Sequence, residues 1–170
     1  MQQNLDNDLQ LMPAYEAIRN AWRWWDQREN ICYFFGAKFS VLTDDLMDYL
    51  IANEAWYFKR YTAGELLAIK DFSRGKIGTD CSGFVCKIIG CDMINSATLW
   101  SRCPVKTGVK EGKAGSMLYY PGHIGIDIGY GRCMHIGKEL ETIRLESNSL
   151  QRWEGAGEID LMDYSMMHNY

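Results

Sequence analysis

Histidine and proline are scarce in this 170-residue chain, with three of each, and no block of Lys or Arg occurs anywhere in it. The shortage of proline, with no repeat and no low-complexity tract, leaves nothing that reads as a linker. At this length one substantial core can form but not two ordinary domains, so residues 1–170 are expected to be a single domain. The missing basic run, with a net charge of -4, removes the usual footprint for nucleic acid or an anionic membrane surface. No apolar run approaches the roughly 18 to 20 residues of a membrane span, and Met1 to Gln10 lacks a basic start followed by an apolar stretch. Synthesis in the cytoplasm without a signal peptide is therefore expected, as a monomer. Paired Cys-x-x-Cys is missing too. The six cysteines, Cys32, Cys81, Cys86, Cys91, Cys103 and Cys133, thus read as free thiols, and neither a structural metal nor another cofactor is expected.

What is present is ordered along the chain. Pro13 to Asn30 predicts a first helix, with Ile18, Ala21, Trp22 and Trp25 at helical spacing, so residues 1–30 form an N-terminal helical extension packed on the core. Thr43, Asp44 and Asp45 can cap a second helix with Leu46, Met47, Leu50 and Ile51 on one face, and Gly64 to Ile69 suggests a short third. Gly90 to Gly115 reads as loops with short helical turns. From Ser116 the pattern changes to β-prone runs, Met117 to Tyr120, His123 to Gly129, Arg132 to Ile136 and Glu141 to Leu145, divided by turn residues, with a last strand or turn between Arg152 and Tyr164. Helices followed by strands predict an α+β domain with an antiparallel sheet.

The chemistry-bearing stretch is Thr79-Asp80-Cys81-Ser82-Gly83-Phe84-Val85, followed by Gly122-His123-Ile124-Gly125-Ile126 and by His135. Asp80 is placed to cap an apolar helix from Cys81 to Ile89, which puts Cys81 in its first turn. A thiol's ordinary pKa is about 8.5, and a helix N-terminus with a neighbouring imidazolium can lower it, giving the thiolate that attacks carbonyl carbon. Small Ser82 and Gly83 leave room for a carbonyl beside free backbone N–H groups that can hold an oxyanion. His123 opens a strand-like run and would serve as general base. Such a pair predicts a rate that rises and then falls between pH 5 and 9.

His135 lies twelve residues on. A two-residue turn at Tyr130-Gly131 pairing Ile126 with His135 would put the two histidines on opposite faces of the sheet. A bulge near Gly125, or an odd-length loop centred on Gly129, is needed to bring them to one face, and one of these is expected.

These motifs resemble the NlpC-type family of papain-like cysteine peptidases, which cleave peptides of bacterial peptidoglycan, and the likeness spans the domain in order. The resemblance implies a papain-like fold, in which the helix bearing Cys81 packs on a central antiparallel sheet bearing the histidines. It implies Cys81 as nucleophile, His123 as base and His135 as the residue orienting His123, with Asp127 or Glu146 as alternatives in the third role. Tyr33-Phe34-Phe35-Gly36 is similar to the family's aromatic-glycine motif, although Ala37 replaces the usual second glycine, and Tyr33 would line the cleft beside the thiol. Asp80, Ser82 and Tyr33 complete the implied substrate and oxyanion region, with Trp56, Tyr57, Trp100 and Trp153 as further cleft-lining candidates. The implied reaction is metal-free hydrolysis, through an acyl-enzyme, of a stem-peptide amide, typically between D-γ-glutamate and a diamino acid. A muramoyl-L-alanine amidase, a hydrolase of another amide or thioester, and an inactive binding module are the other readings. Action on the wall by a chain without a signal peptide would fit a phage or prophage lysin, or export by another route.

Overall fold

The structure, a computed structural model, describes residues 11–150 and 152–167. Its front half runs β1 (Met12–Pro13), α1 (Ala14–Asp26), β2 (Ile31–Tyr33), β3 (Lys38–Val41), α2 (Asp44–Asn53), α3 (Ala55–Phe58), α4 (Ala63–Ser73) and β4 (Ile77–Thr79). Then come α5 (Cys81–Ile89), α6 (Ser96–Ser101), β5 (Val105–Thr107), β6 (Met117–Tyr120), β7 (His123–Gly129), β8 (Arg132–His135), β9 (Arg144–Ser147), β10 (Gly155–Glu158) and β11 (Met162–Asp163). This is a mixed α+β architecture whose main sheet has six strands in the order β5-β10-β6-β7-β8-β9, every pair antiparallel.

Helix α5 is the element on which the rest is arranged. Asp80 caps it by accepting the Gly83 N–H at 2.7 Å, and Gly90 closes it in the left-handed region at φ 68°. Between the caps every residue except Lys87 is buried, since the helix packs against the Ile124, Ile126 and Ile128 side of β7 within one hydrophobic core. Gly83 is required there, because a Cβ would sit 2.6 Å from Thr79 Oγ1.

Several sequence expectations shift. The first helix is shorter than Pro13 to Asn30, ending at Asp26 before a 3₁₀ turn over Arg28–Asn30. Its buried face is Ala14, Ala17 and Ala21, while Trp22 is 40% exposed, because the helix lies close against α5 and only small side chains fit between them. Asn20 Nδ2 ties the two together by donating to Ile88 O at 3.0 Å. Residues 1–10 of the expected N-terminal extension, and His168, lie outside the described residues. The helix expected over Gly64 to Ile69 is α4, which begins at Ala63 under a full capping box formed by Thr62 and Glu65 and runs on to Ser73. The strand expected over Glu141 to Leu145 instead spans Arg144–Ser147, because Glu141 O is engaged by the Tyr33 N–H at 2.9 Å.

The front half is also less purely helical than its sequence suggests. β2, β4 and β3 form a three-stranded sheet with Tyr33 beside Thr79 in parallel register. The Phe34 N–H donates to Thr79 O at 3.0 Å, and the Asp80 N–H to Ala37 O at 3.1 Å. The Tyr33 to Ala37 turn is thereby fastened to the entrance of α5.

Candidate active site

The β7–β8 hairpin decides which side chains meet. Ile126 pairs with Met134 and Asp127 with Cys133, but Gly129 pairs with Arg132, so the register slips by one residue at Ile128. The slip lies between Asp127 and Gly129 rather than near Gly125, and Ile126 does not pair with His135. The Asp127 carboxylate holds the irregularity by accepting the Gly129 N–H at 2.7 Å, and Asn148 Nδ2 donates to its other oxygen at 2.9 Å. In this register His123, Gly125, Cys133 and His135 share one face.

On that face His123 Nε2 lies 3.0 Å from His135 Nδ1, and His135 Nε2 lies 3.4 Å from Glu146 Oε2. Arg144 holds the other Glu146 oxygen. This order fixes the tautomers through the hydrogen-bond network. Glu146 accepts from His135 Nε2–H, so His135 Nδ1 accepts from His123 Nε2–H, which leaves His123 Nδ1 as the unprotonated nitrogen. His135 is therefore the residue that holds His123, Glu146 stands behind it, and Asp127 has both its oxygens engaged at the bulge.

The aromatic surroundings fix the imidazole further. Trp153 stacks on His123 at 5.4 Å and 10°, and meets His135 edge-on at 5.6 Å and 87°. Gly125 makes room for this, since a Cβ there would lie 3.0 Å from both Trp153 Cη2 and His135 Cβ. Of the four aromatics picked out in the sequence, Trp153 alone joins the histidines. Trp100 stacks on Tyr119 at 4.9 Å, Trp56 packs edge-on to Phe35, and Tyr57 stacks on Phe35 and bonds with Tyr33.

Cys81 sits at the start of this row. Its Sγ lies 4.0 Å from Gly122 O, one residue before His123, and the N–H groups of Ile124 and Ser82 act on the sulfur to favour its ionised form. Among the described residues no hydrogen bond joins Sγ to an imidazole nitrogen. Tyr33 and Tyr120 both lie close enough to Cys81 to interact with it electrostatically. Asp80 and Ser82 are locked to each other, Ser82 Oγ donating to Asp80 Oδ1 at 2.8 Å.

Lys38, which no sequence motif singles out, completes the arrangement. Its Nζ lies 2.6 Å from Asp80 Oδ2 and 3.1 Å from Ser82 Oγ, and its charge favours the Cys81 thiolate. It stands in β3, opposite Thr79 in a register that only the small sheet creates.

Burial dominates the proton affinities. It pushes the Cys81 thiol up to about 11, with the Asp80 carboxylate adding to the effect, against the lowering expected at a helix N-terminus. It also pushes His123 down to about 3, with His135 adding to it, and lowers His135 despite Glu146. At neutral pH the resting pair is thus thiol and imidazole, both uncharged.

All six cysteines are free thiols, and among the described residues no group of three or more His, Cys, Asp or Glu could hold a metal ion. No helix among them is long and apolar enough to cross a membrane. In comparisons with known proteins, the chain matches no family model, no curated protein and no solved structure.

Proposed function

We propose that this protein is a papain-like cysteine peptidase that hydrolyses an amide bond in bacterial peptidoglycan stem peptides, of the D-γ-glutamyl-diamino acid type, through an acyl-enzyme on Cys81. The observation that carries the reading is the ordered run Glu146, His135, His123, at 3.4 and 3.0 Å, ending in a bare His123 Nδ1 on the strand that opens beside the Cys81 sulfur. The choice of wall peptide as substrate rests on the resemblance of the Asp80 to Val85 and Gly122 to Ile126 motifs to the NlpC-type family.

In this mechanism His123 Nδ1 takes the thiol proton as sulfur attacks the carbonyl carbon. His135 keeps Nε2–H of His123 occupied, so that the ring cannot turn or change tautomer, and Glu146 does the same for His135. Backbone N–H groups in the first turn of α5 stabilise the oxyanion. The imidazolium then returns its proton to the leaving amine, and water, activated by the same His123, releases the acyl group.

Purified peptidoglycan digested by the wild-type chain and by Cys81→Ala, with fragments identified by mass, tests the reading. Release of stem-peptide fragments by the wild type alone is expected, and their masses name the bond. An intact wall after incubation with a folded wild-type chain would overturn the substrate assignment.

A further inference from the structure

Cys86 and Cys91 stand across the C-terminal turn of α5, at the opposite end of that helix from Cys81. Gly90 enters the left-handed region there, and the Cys91 N–H returns to Cys86 O at 3.1 Å, a turn closure that brings the side chains of residues five apart into contact. The two thiols are hydrogen-bonded to each other. Cys86 is fully buried, whereas Cys91 is partly exposed and lines a cavity of about 520 Å³ together with Met12, Gly90, Asp92 and Arg102. The cavity has the size of a small-molecule site, so a small reagent can reach one sulfur directly and the other through it.

The other four thiols, Cys32, Cys81, Cys103 and Cys133, are buried, and burial raises the proton affinity of each. In the pair the balance differs. The bond from Cys91 holds Cys86 below the ordinary thiol value, while the same bond, with burial, raises Cys91 against the pull of the Arg102 guanidinium. The pair therefore yields its first proton easily and keeps its second. Backbone carbonyls compete weakly, with Cys86 Sγ 3.6 Å from Ile94 O and Cys91 Sγ 3.3 Å from Asp92 O, contacts that a covalent bond would replace. One negative charge shared between two sulfurs in contact is the form that begins thiol–disulfide exchange and keeps a second thiol ready to finish it.

We propose that Cys86 and Cys91 form a reversible disulfide, which staples the C-terminal turn of α5 when the chain meets a small-molecule disulfide. In the first step the Cys91 thiolate attacks one sulfur of the oxidant, whose other half leaves as a thiolate. Cys86, after losing its proton, then attacks the Cys91 sulfur of this mixed disulfide and expels the second half. Two protein thiols give up two electrons and two protons, and the oxidant becomes two thiols. The site goes beyond the peptidase reading and does not rest on it, because the pair lies at the far end of α5 from Cys81 and its oxidation can be followed in a chain without that thiol.

The test incubates the full wild-type chain with oxidised glutathione at neutral pH, then counts free thiols in denaturant and maps the linked peptides by mass. A fall from six thiols to four is expected, with Cys86 joined to Cys91 and both thiols regained on treatment with dithiothreitol. Cys81→Ala should form the same bond, which separates this inference from the peptidase reading. Cys91→Ser, altered at a partly exposed position, should form no internal disulfide. A folded wild-type chain that keeps all six thiols, stops at a glutathione adduct or links a different pair of cysteines would overturn the proposal. An internal disulfide formed at the full rate in Cys91→Ser would overturn it too.

Discussion

At the scale of single residues, the uncharged thiol and imidazole change the expected pH behaviour. If neutral His123 is the working base of the proposed peptidase, kcat/KM for wall peptides should hold a plateau across pH 5 to 9, with its acid limb well below the ordinary histidine value of 6.5 and its alkaline limb above the ordinary thiol range. An acid limb at 6.5 or higher in a pH–rate profile would contradict the buried, neutral imidazole. The same burial links to stability. Between about pH 3 and 6.5 the unfolded chain protonates His123 while the folded chain does not, so stability falls as pH drops through that window. Urea midpoints should decline below pH 6.5, less steeply in His123→Gln. In the proposed mechanism His135 acts through His123, so His135→Ala should cut kcat about 100-fold with KM nearly unchanged, while His135→Asn, able to accept the same bond, should recover part of the loss. Steady-state kinetics of both variants separate this positioning role from a structural one, which would lower both alike. The sequence names Cys81, His123 and His135 because histidine is scarce and Cys81, among six cysteines, is the one that opens a capped apolar helix. It says nothing of Lys38, whose role arises from a register with β4 that no local pattern encodes.

At the scale of elements, the entrance of α5 and the β7–β8 hairpin carry the site. Gly83→Ala would force a Cβ to within 2.6 Å of Thr79 Oγ1 and 3.3 Å of the capping carboxylate, so the first turn must shift. A loss of about 1 to 3 kcal/mol in denaturant unfolding is expected, with any peptidase activity falling further than stability because Cys81, the proposed nucleophile, moves with that turn. The hairpin makes a sharper prediction. Deleting Ile128, the extra residue at the slip, should leave Asp127 pairing with Cys133 directly beside Gly129 with Arg132, so the ladder becomes regular and the two histidines stay on one face. Retention of the coupling between the two imidazoles in NMR titration, with the fold retained by circular dichroism, would be its signature, and loss of that coupling would contradict this register. The need for a slip is legible from the spacing of the two histidines alone. Its position is not, because it depends on Asp127 accepting the Gly129 N–H and on Asn148, far along the chain, steadying Asp127.

At the scale of the whole molecule, α1, α5 and the main sheet share one core, in which Phe34, Phe58 and Phe84 are the largest fully buried side chains. Phe84→Ala should cost about 3 to 5 kcal/mol in unfolding free energy and lower the melting temperature without altering the pH dependence of whatever activity remains. The sequence by itself determined the α+β order, the span of α5 from cap to cap and the strands that carry His123 and His135, because capping residues, glycines and apolar periodicity act over a few positions. It misjudged the first helix, whose tryptophans look like the buried face, because an alanine stripe is chosen by how closely α5 approaches and not by hydrophobicity. Only the tertiary structure decided that Glu146 backs His135, that Trp153 rather than Trp100 braces the imidazole, and that burial keeps Cys81 and His123 uncharged. Each of these depends on strands and loops distant in the chain meeting on one sheet face, and both desolvation and hydrogen-bond direction are set by that meeting.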